Sequence, residues 1–95
     1  MKLDISNIKR KVLPILKPYE VERVGLFGSS VKGKMTETSD IDILVDIKKD
    51  ISLLEFVDLK LKLEEALGKS VDLVEYQTIK PALRQQILRE QIQIL

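Results

Sequence analysis

The sequence predicts a small α/β (α+β) fold, a mixed β-sheet covered by helices. Three observations carry this reading. Short, mostly apolar runs rich in Val and Ile recur at 21–27, 41–47 and 71–76. Stretches with apolar residues at helical spacing precede and separate them. Between the first two runs lies a segment of Gly, Ser, Thr and Lys without apolar periodicity, which reads as a loop.

The elements follow in order. Asp4 or Ser6 is placed to cap a first helix, whose apolar positions Ile8, Val12, Leu13 and Leu16 recur at helical spacing. Pro18 ends it. Val21 to Phe27 is a first strand with Val24, Leu26 and Phe27 as its core, and residues 28–39 are the loop. Ile41 to Ile47 is a second strand, interrupted by acids. Ser52 caps a long helix through Leu67, and Gly68 ends it at the position that favours a left-handed residue. Val71 to Tyr76 is a third strand. Pro81 opens a final helix, and Ile92 to Leu95 is a short last strand.

Composition narrows the chemistry. Ninety-five residues, without repeat or linker, imply one domain over 1–95. At 44% hydrophobic and 33% charged, the chain is globular rather than disordered. Sixteen basic against fifteen acidic residues give +1, which does not suit a dedicated nucleic-acid binder. Cysteine and histidine are both absent, which removes disulfides, thiolate or imidazole metal sites and histidine bases. Acid, base or metal chemistry therefore falls to Asp and Glu. The start, Met1-Lys2-Leu3-Asp4, lacks a signal-peptide apolar region, and no run has membrane-spanning length. A cytoplasmic address with no membrane partner is the expectation.

The informative segment is Gly28-Ser29-Ser30-Val31-Lys32-Gly33, followed by Ser39-Asp40-Ile41-Asp42-Ile43-Leu44-Val45. Residues two apart on a strand share a face, so Asp40 and Asp42 project together while Ile41, Ile43 and Val45 face a core. Two like charges side by side repel unless a cation lies between them. With hard oxygen donors and no histidine, Mg²⁺ or Mn²⁺ is the natural occupant. Gly28 lets backbone approach a ligand closely, and loop amides with the Ser29 hydroxyl can cradle phosphate oxygens. Lys32, with Lys34 nearby, adds positive charge. A phosphate cradle and an acid pair on successive strands together describe a triphosphate–Mg²⁺ site. Asp72, in the otherwise apolar Val71-Asp72-Leu73-Val74, completes a three-acid cluster if its strand neighbours that of Asp42. Asp46 shares parity with Asp42 but lies about 13 Å further along the strand. It reads as solvated, like Lys48, Lys49 and Asp50.

At these residues the chain resembles the polymerase-β-like nucleotidyltransferase superfamily, whose signature is Gly-Ser followed by Asp-x-Asp on the next strand. It looks most like the minimal nucleotidyltransferase (MNT) branch. Leu26-Phe27-Gly28-Ser29, Ser39 to Val45, Val71 to Val74 and Leu83-Arg84-Gln85-Gln86-Ile87-Leu88 carry the likeness, which spans nearly the whole chain. The resemblance implies the polymerase-β-like nucleotidyltransferase fold, two Mg²⁺ ions and ATP as substrate. Asp40 and Asp42 would hold both metals, Asp72 would complete the catalytic metal site, and Gly28 and Ser29 would hold the triphosphate. The branch often carries arginines two and four residues after that Gly; here these positions are Ser30 and Lys32.

The same resemblance implies a partner. Members of the branch commonly act as antitoxins that add AMP to a HEPN-domain ribonuclease toxin. One feature fits a protein partner independently: the 51–67 helix is apolar over roughly two-thirds of its circumference, more than one sheet face needs. Phe56, Leu59, Leu63 and Leu67 suffice for the core. Leu54, Val57 and Leu61 form a second stripe, which either another helix covers or a subunit meets, in a homo-oligomer or a hetero-complex. Two other readings stand beside AMP transfer to a protein hydroxyl. One is a non-catalytic antitoxin that neutralises by contact. The other is a catalytic subunit modifying a small molecule with a separate substrate-binding chain.

Overall fold

A computed structural model describes residues 5–27 and 40–95. Its elements are α1 (Ile5–Leu16), β1 (Val21–Phe27), β2 (Ile41–Ile47), α2 (Leu53–Leu67), β3 (Val71–Glu75), α3 (Pro81–Glu90) and β4 (Ile92–Gln93). Asp4 lies outside the described residues, and Ser6 is already inside α1 rather than capping it. Ile8, Val12 and Leu16 form the buried stripe of α1, and Pro18 falls in a 3₁₀ turn, Lys17–Tyr19, that closes the helix. The capping of α2 follows the expected chemistry. The Ser52 hydroxyl accepts from the Glu55 amide while the Glu55 carboxylate accepts from the Ser52 amide, and Gly68 ends the helix at φ 68.

The sheet is mixed, ordered β3-β2-β1-β4. β1 pairs antiparallel with β2 and with β4, while β2 and β3 run parallel on either side of α2. Strand alternation then divides the side chains between two faces. Val24, Leu26, Ile41, Ile43, Val45, Val71 and Leu73 join residues of α1 and α2 in the main core. Leu44 and Val74 face the other way, where Tyr76, Ile79, Ile87 and Leu88 cover them.

Three expectations change. The third strand stops at Glu75, because Tyr76 opens a 3₁₀ turn, Tyr76–Thr78, that buries its ring on the second face. The last strand is only Ile92–Gln93, although the Ile94 amide still donates to the Val24 carbonyl at 2.8 Å. Asp46 is the larger correction. It is 4% exposed, not solvated, because the turn after β3 folds across the end of β2 and brings Gln77 onto it.

The second stripe of α2 is not covered by either neighbouring helix. Leu54 is 82% exposed, Leu61 55% and Val57 43%, with Leu53 beside them at 78%. No helix among the described residues is long and apolar enough to cross a membrane.

Candidate active site

Strand register assembles the acids. In the β1–β2 ladder Phe27 lies opposite Asp42, and in the parallel β2–β3 ladder Asp42 lies opposite Asp72. Phe27, Asp42 and Asp72 thus form one row across three strands on the face away from α1 and α2. Asp40 sits one residue outside β2, at the mouth of this row. The three carboxylates differ in setting: Asp42 is half-buried, whereas Asp40 and Asp72 are exposed.

That difference shows in the charge of Asp42. Burial first, then the charges of Asp72 and Asp40, push its carboxyl from an ordinary 3.8 up to about 6. Both neighbours act through space on the same group, so the three acids share one electrostatic site. Among the described residues no three acidic side chains are drawn into a finished ligand cage. The donor set nevertheless suits Mg²⁺, which keeps waters and takes one or two carboxylates with substrate phosphates instead of an all-protein cage.

Gly28, Ser29, Ser30 and Lys32, with Lys34, lie outside the described residues. Phe27 and Asp40, the described residues on either side of 28–39, both lie at the acid end of the sheet.

Asp46 heads a second polar group that sequence periodicity did not disclose. Its carboxylate accepts from Gln77 Nε2 at 2.9 Å and pairs with Arg23 Nε at 3.4 Å and Lys48 Nζ at 3.5 Å. Burial pulls its carboxyl up, but the Gln77 hydrogen bond and the Lys48 and Arg23 charges outweigh that and hold it below the usual range. The Arg23 guanidinium also lies 4.4 Å over the Tyr76 ring, and the Tyr76 hydroxyl donates to Gln91 Oε1 at 2.7 Å. One sequence signal could have found this group: Asp46 interrupts an apolar strand as Asp42 does, with Arg23 the cation of the neighbouring strand. These contacts tie β1, β2 and the turn after β3 together behind the acid row.

The chain is 47% identical over 93 residues to a candidate protein adenylyltransferase of Methanocaldococcus jannaschii, covering 98% of this chain and 100% of that one. It is 42% identical over 76 residues to the protein adenylyltransferase MntA of Thermococcus cleftensis, covering 80% and 77%. A crystal structure of a toxin–antitoxin with AMP-PNP superposes with a TM-score of 0.80 at 29% identity, over 92% of this chain and 72% of that chain. A structure of the tri-AMPylated HEPN toxin of Shewanella oneidensis in complex with its MNT antitoxin superposes with a TM-score of 0.73 at 26% identity, over 95% and 71%. Residues 10–95 match the family described as Polymerase beta, Nucleotidyltransferase. A match over that share of its length, together with these relatives, makes the chain a member of the polymerase-β nucleotidyltransferase family.

Proposed function

We propose that the chain transfers AMP from ATP to a hydroxyl on a protein, the acceptor being a HEPN-type ribonuclease toxin that it neutralises. The observation that carries this reading is the register that seats Asp42 beside Asp72 with Asp40 at the mouth. The relatives named as protein adenylyltransferases and the neighbour holding a tri-AMPylated toxin supply the acceptor class.

Asp40 and Asp42 would hold two Mg²⁺ ions, with Asp72 completing the ligand set of the ion on the acceptor side. When bound, these ions neutralise the triphosphate and stabilise the entering and leaving oxygens. The chain's own residues then have separate tasks. Gly28 and Ser29, with Ser30 and Lys32 beside them, would hold the triphosphate. Phe27, half-buried against Leu44 and Tyr76, walls one side of the row with apolar surface. The acceptor oxygen forms a bond to the α-phosphorus as the bond to the bridging oxygen breaks, and pyrophosphate leaves. The hydroxyl proton passes to the Asp72 carboxylate and from there to solvent.

The deciding experiment offers ATP labelled at the α-phosphate to the purified chain with a HEPN-domain protein from the same genome. Label on the HEPN-domain protein, dependent on Mg²⁺ and lost in chelator, is the expected result. Neutralisation of the toxin that persists in Asp42→Asn without any label would favour a binding module instead.

A further inference from the structure

Asp72 is the least firmly seated of the three acids by its own strand. It is the second residue of β3, a five-residue strand at the edge of the sheet, and it is exposed. Strand ends fray, and an edge strand is paired on one side only. The connection that precedes it supplies an anchor. Glu64, in the last turn of α2, holds this connection twice. Its backbone carbonyl accepts from the Gly68 amide at 2.8 Å, and its carboxylate Oε2 accepts from the Val71 amide at 2.9 Å. The first bond is the helix cap and needs only backbone. The second fixes the residue immediately before Asp72. In the parallel ladder Ile41 lies opposite Val71, and the Ile41 amide donates to the Ser70 carbonyl at 2.9 Å. Ladder bonds from a strand alternate in direction, so the Val71 amide points away from β2 toward the sheet edge, where the Glu64 carboxylate receives it. The start of β3 is thus gripped from both sides. Ile41, which lies between Asp40 and Asp42, holds Ser70 from within the sheet, and Glu64 holds Val71 from the edge.

We propose that Glu64 is a positioning residue for AMP transfer: its carboxylate pins the first residue of β3 and so keeps Asp72 opposite Asp42. The inference rests on Asp72 serving that reaction. Loss of a hydrogen bond to a charged acceptor shifts a local equilibrium by roughly tenfold or more. Without this bond the start of β3 opens to states in which Asp72 has left the acid row. Asp42, on the interior strand β2, and Asp40 beside it stay in place. Nucleotide binding then survives, and the transfer step suffers.

The test compares Glu64→Ala and Glu64→Gln in the full chain, with Glu65→Ala, an exposed neighbour on the same helix, as the control. Glu64→Ala removes the side-chain acceptor but keeps the backbone cap, whereas Glu64→Gln keeps an oxygen that can accept from Val71. Label from the α-phosphate of ATP is followed onto a HEPN-domain protein from the same genome, and amide exchange is followed in the metal-free chain. Glu64→Ala should slow transfer roughly tenfold or more with affinity for ATP and Mg²⁺ unchanged, and should speed exchange of the Val71 and Asp72 amides by a similar factor. The amides of Leu44 and Val45 should keep their protection, Glu64→Gln should recover most of the rate, and Glu65→Ala should match wild type. A Glu64→Ala chain that transfers as fast as wild type overturns the proposal. So does Glu64→Gln as slow as Glu64→Ala, or a loss of nucleotide affinity in step with the rate. A wild type that transfers no label counts against the transfer reading alone. In that event faster exchange confined to Val71 and Asp72 still upholds the anchor, and unchanged exchange overturns it.

Discussion

Asp42 and Asp72 occupy facing positions of a parallel strand pair, one half-buried and the other exposed. The half-buried member bears the cost of the pairing. Its carboxyl is pushed up to about 6 by burial and by the charges of Asp72 and Asp40.

Asp42→Asn is expected to abolish transfer and yet stabilise the metal-free fold. An acid whose folded pKa lies above its unfolded value is destabilising wherever it is charged, so the cost is complete above pH 6 and gone below about pH 4. The variant should be more stable than wild type by about 1–2 kcal/mol at pH 7, allowing for solvent screening, and equal to it near pH 4. Urea unfolding at the two pH values measures this. Equal stability at pH 7 would show that the acids do not strain one another.

Asp72 and Asp40 should separate kinetically. Asp72→Asn is expected to leave affinity for ATP with Mg²⁺ nearly intact and to lower the transfer rate by several orders of magnitude, the mark of an interaction made mainly in the transition state. Asp40→Asn should weaken both. Calorimetric titration beside a transfer assay reads the difference, and equal loss of affinity in the two variants would place Asp72 at the triphosphate instead.

Asp46→Asn should behave in the opposite sense to Asp42→Asn. Held below its usual range by Gln77, Lys48 and Arg23, the Asp46 carboxylate stabilises the fold at neutral pH, and that contribution fades as pH falls through its depressed pKa. Losing this charge should cost about 1–3 kcal/mol at pH 7 and progressively less in acid. A cost that does not depend on pH would mean that packing, not charge, holds Asp46.

Gly25 is kept small by its neighbours. A Cβ there would land on Gln91 Oε1 and lie 2.8 Å from the Tyr76 hydroxyl, breaking the hydrogen bond between them. Gly25→Ala should destabilise by about 1–2 kcal/mol, the order of one part-buried hydrogen bond with some crowding. Because the Gln91 side chain is flexible, Gln91→Ala in the same chain should recover part of the loss. A double variant no more stable than Gly25→Ala would locate the strain at Tyr76.

Local chemistry was enough to read most of the elements. β1 and β2 run over the predicted residues, and Ser52 and Gly68 bound α2 as expected, because caps and periodicity act within a few residues of chain. Parity alone also set Asp42 on a face apart from Ile41 and Ile43. Parity does not say what covers a face. Asp42 and Asp46 share one, yet Asp46 was read as solvated and is buried, because the turn after β3 brings Gln77 across it from thirty-one positions away. Likewise, the spacing of Asp40 and Asp42 is a property of one strand, whereas the nearness of Asp72 needed β3 to pair in parallel beyond α2. Leu54, Val57 and Leu61 were recognisable as a stripe, but whether α1 or α3 lay over it depended on how the helices pack. Pairing of distant strands and covering of a face are long-range contacts, set by what the whole chain can bury together, and only the tertiary structure decided them.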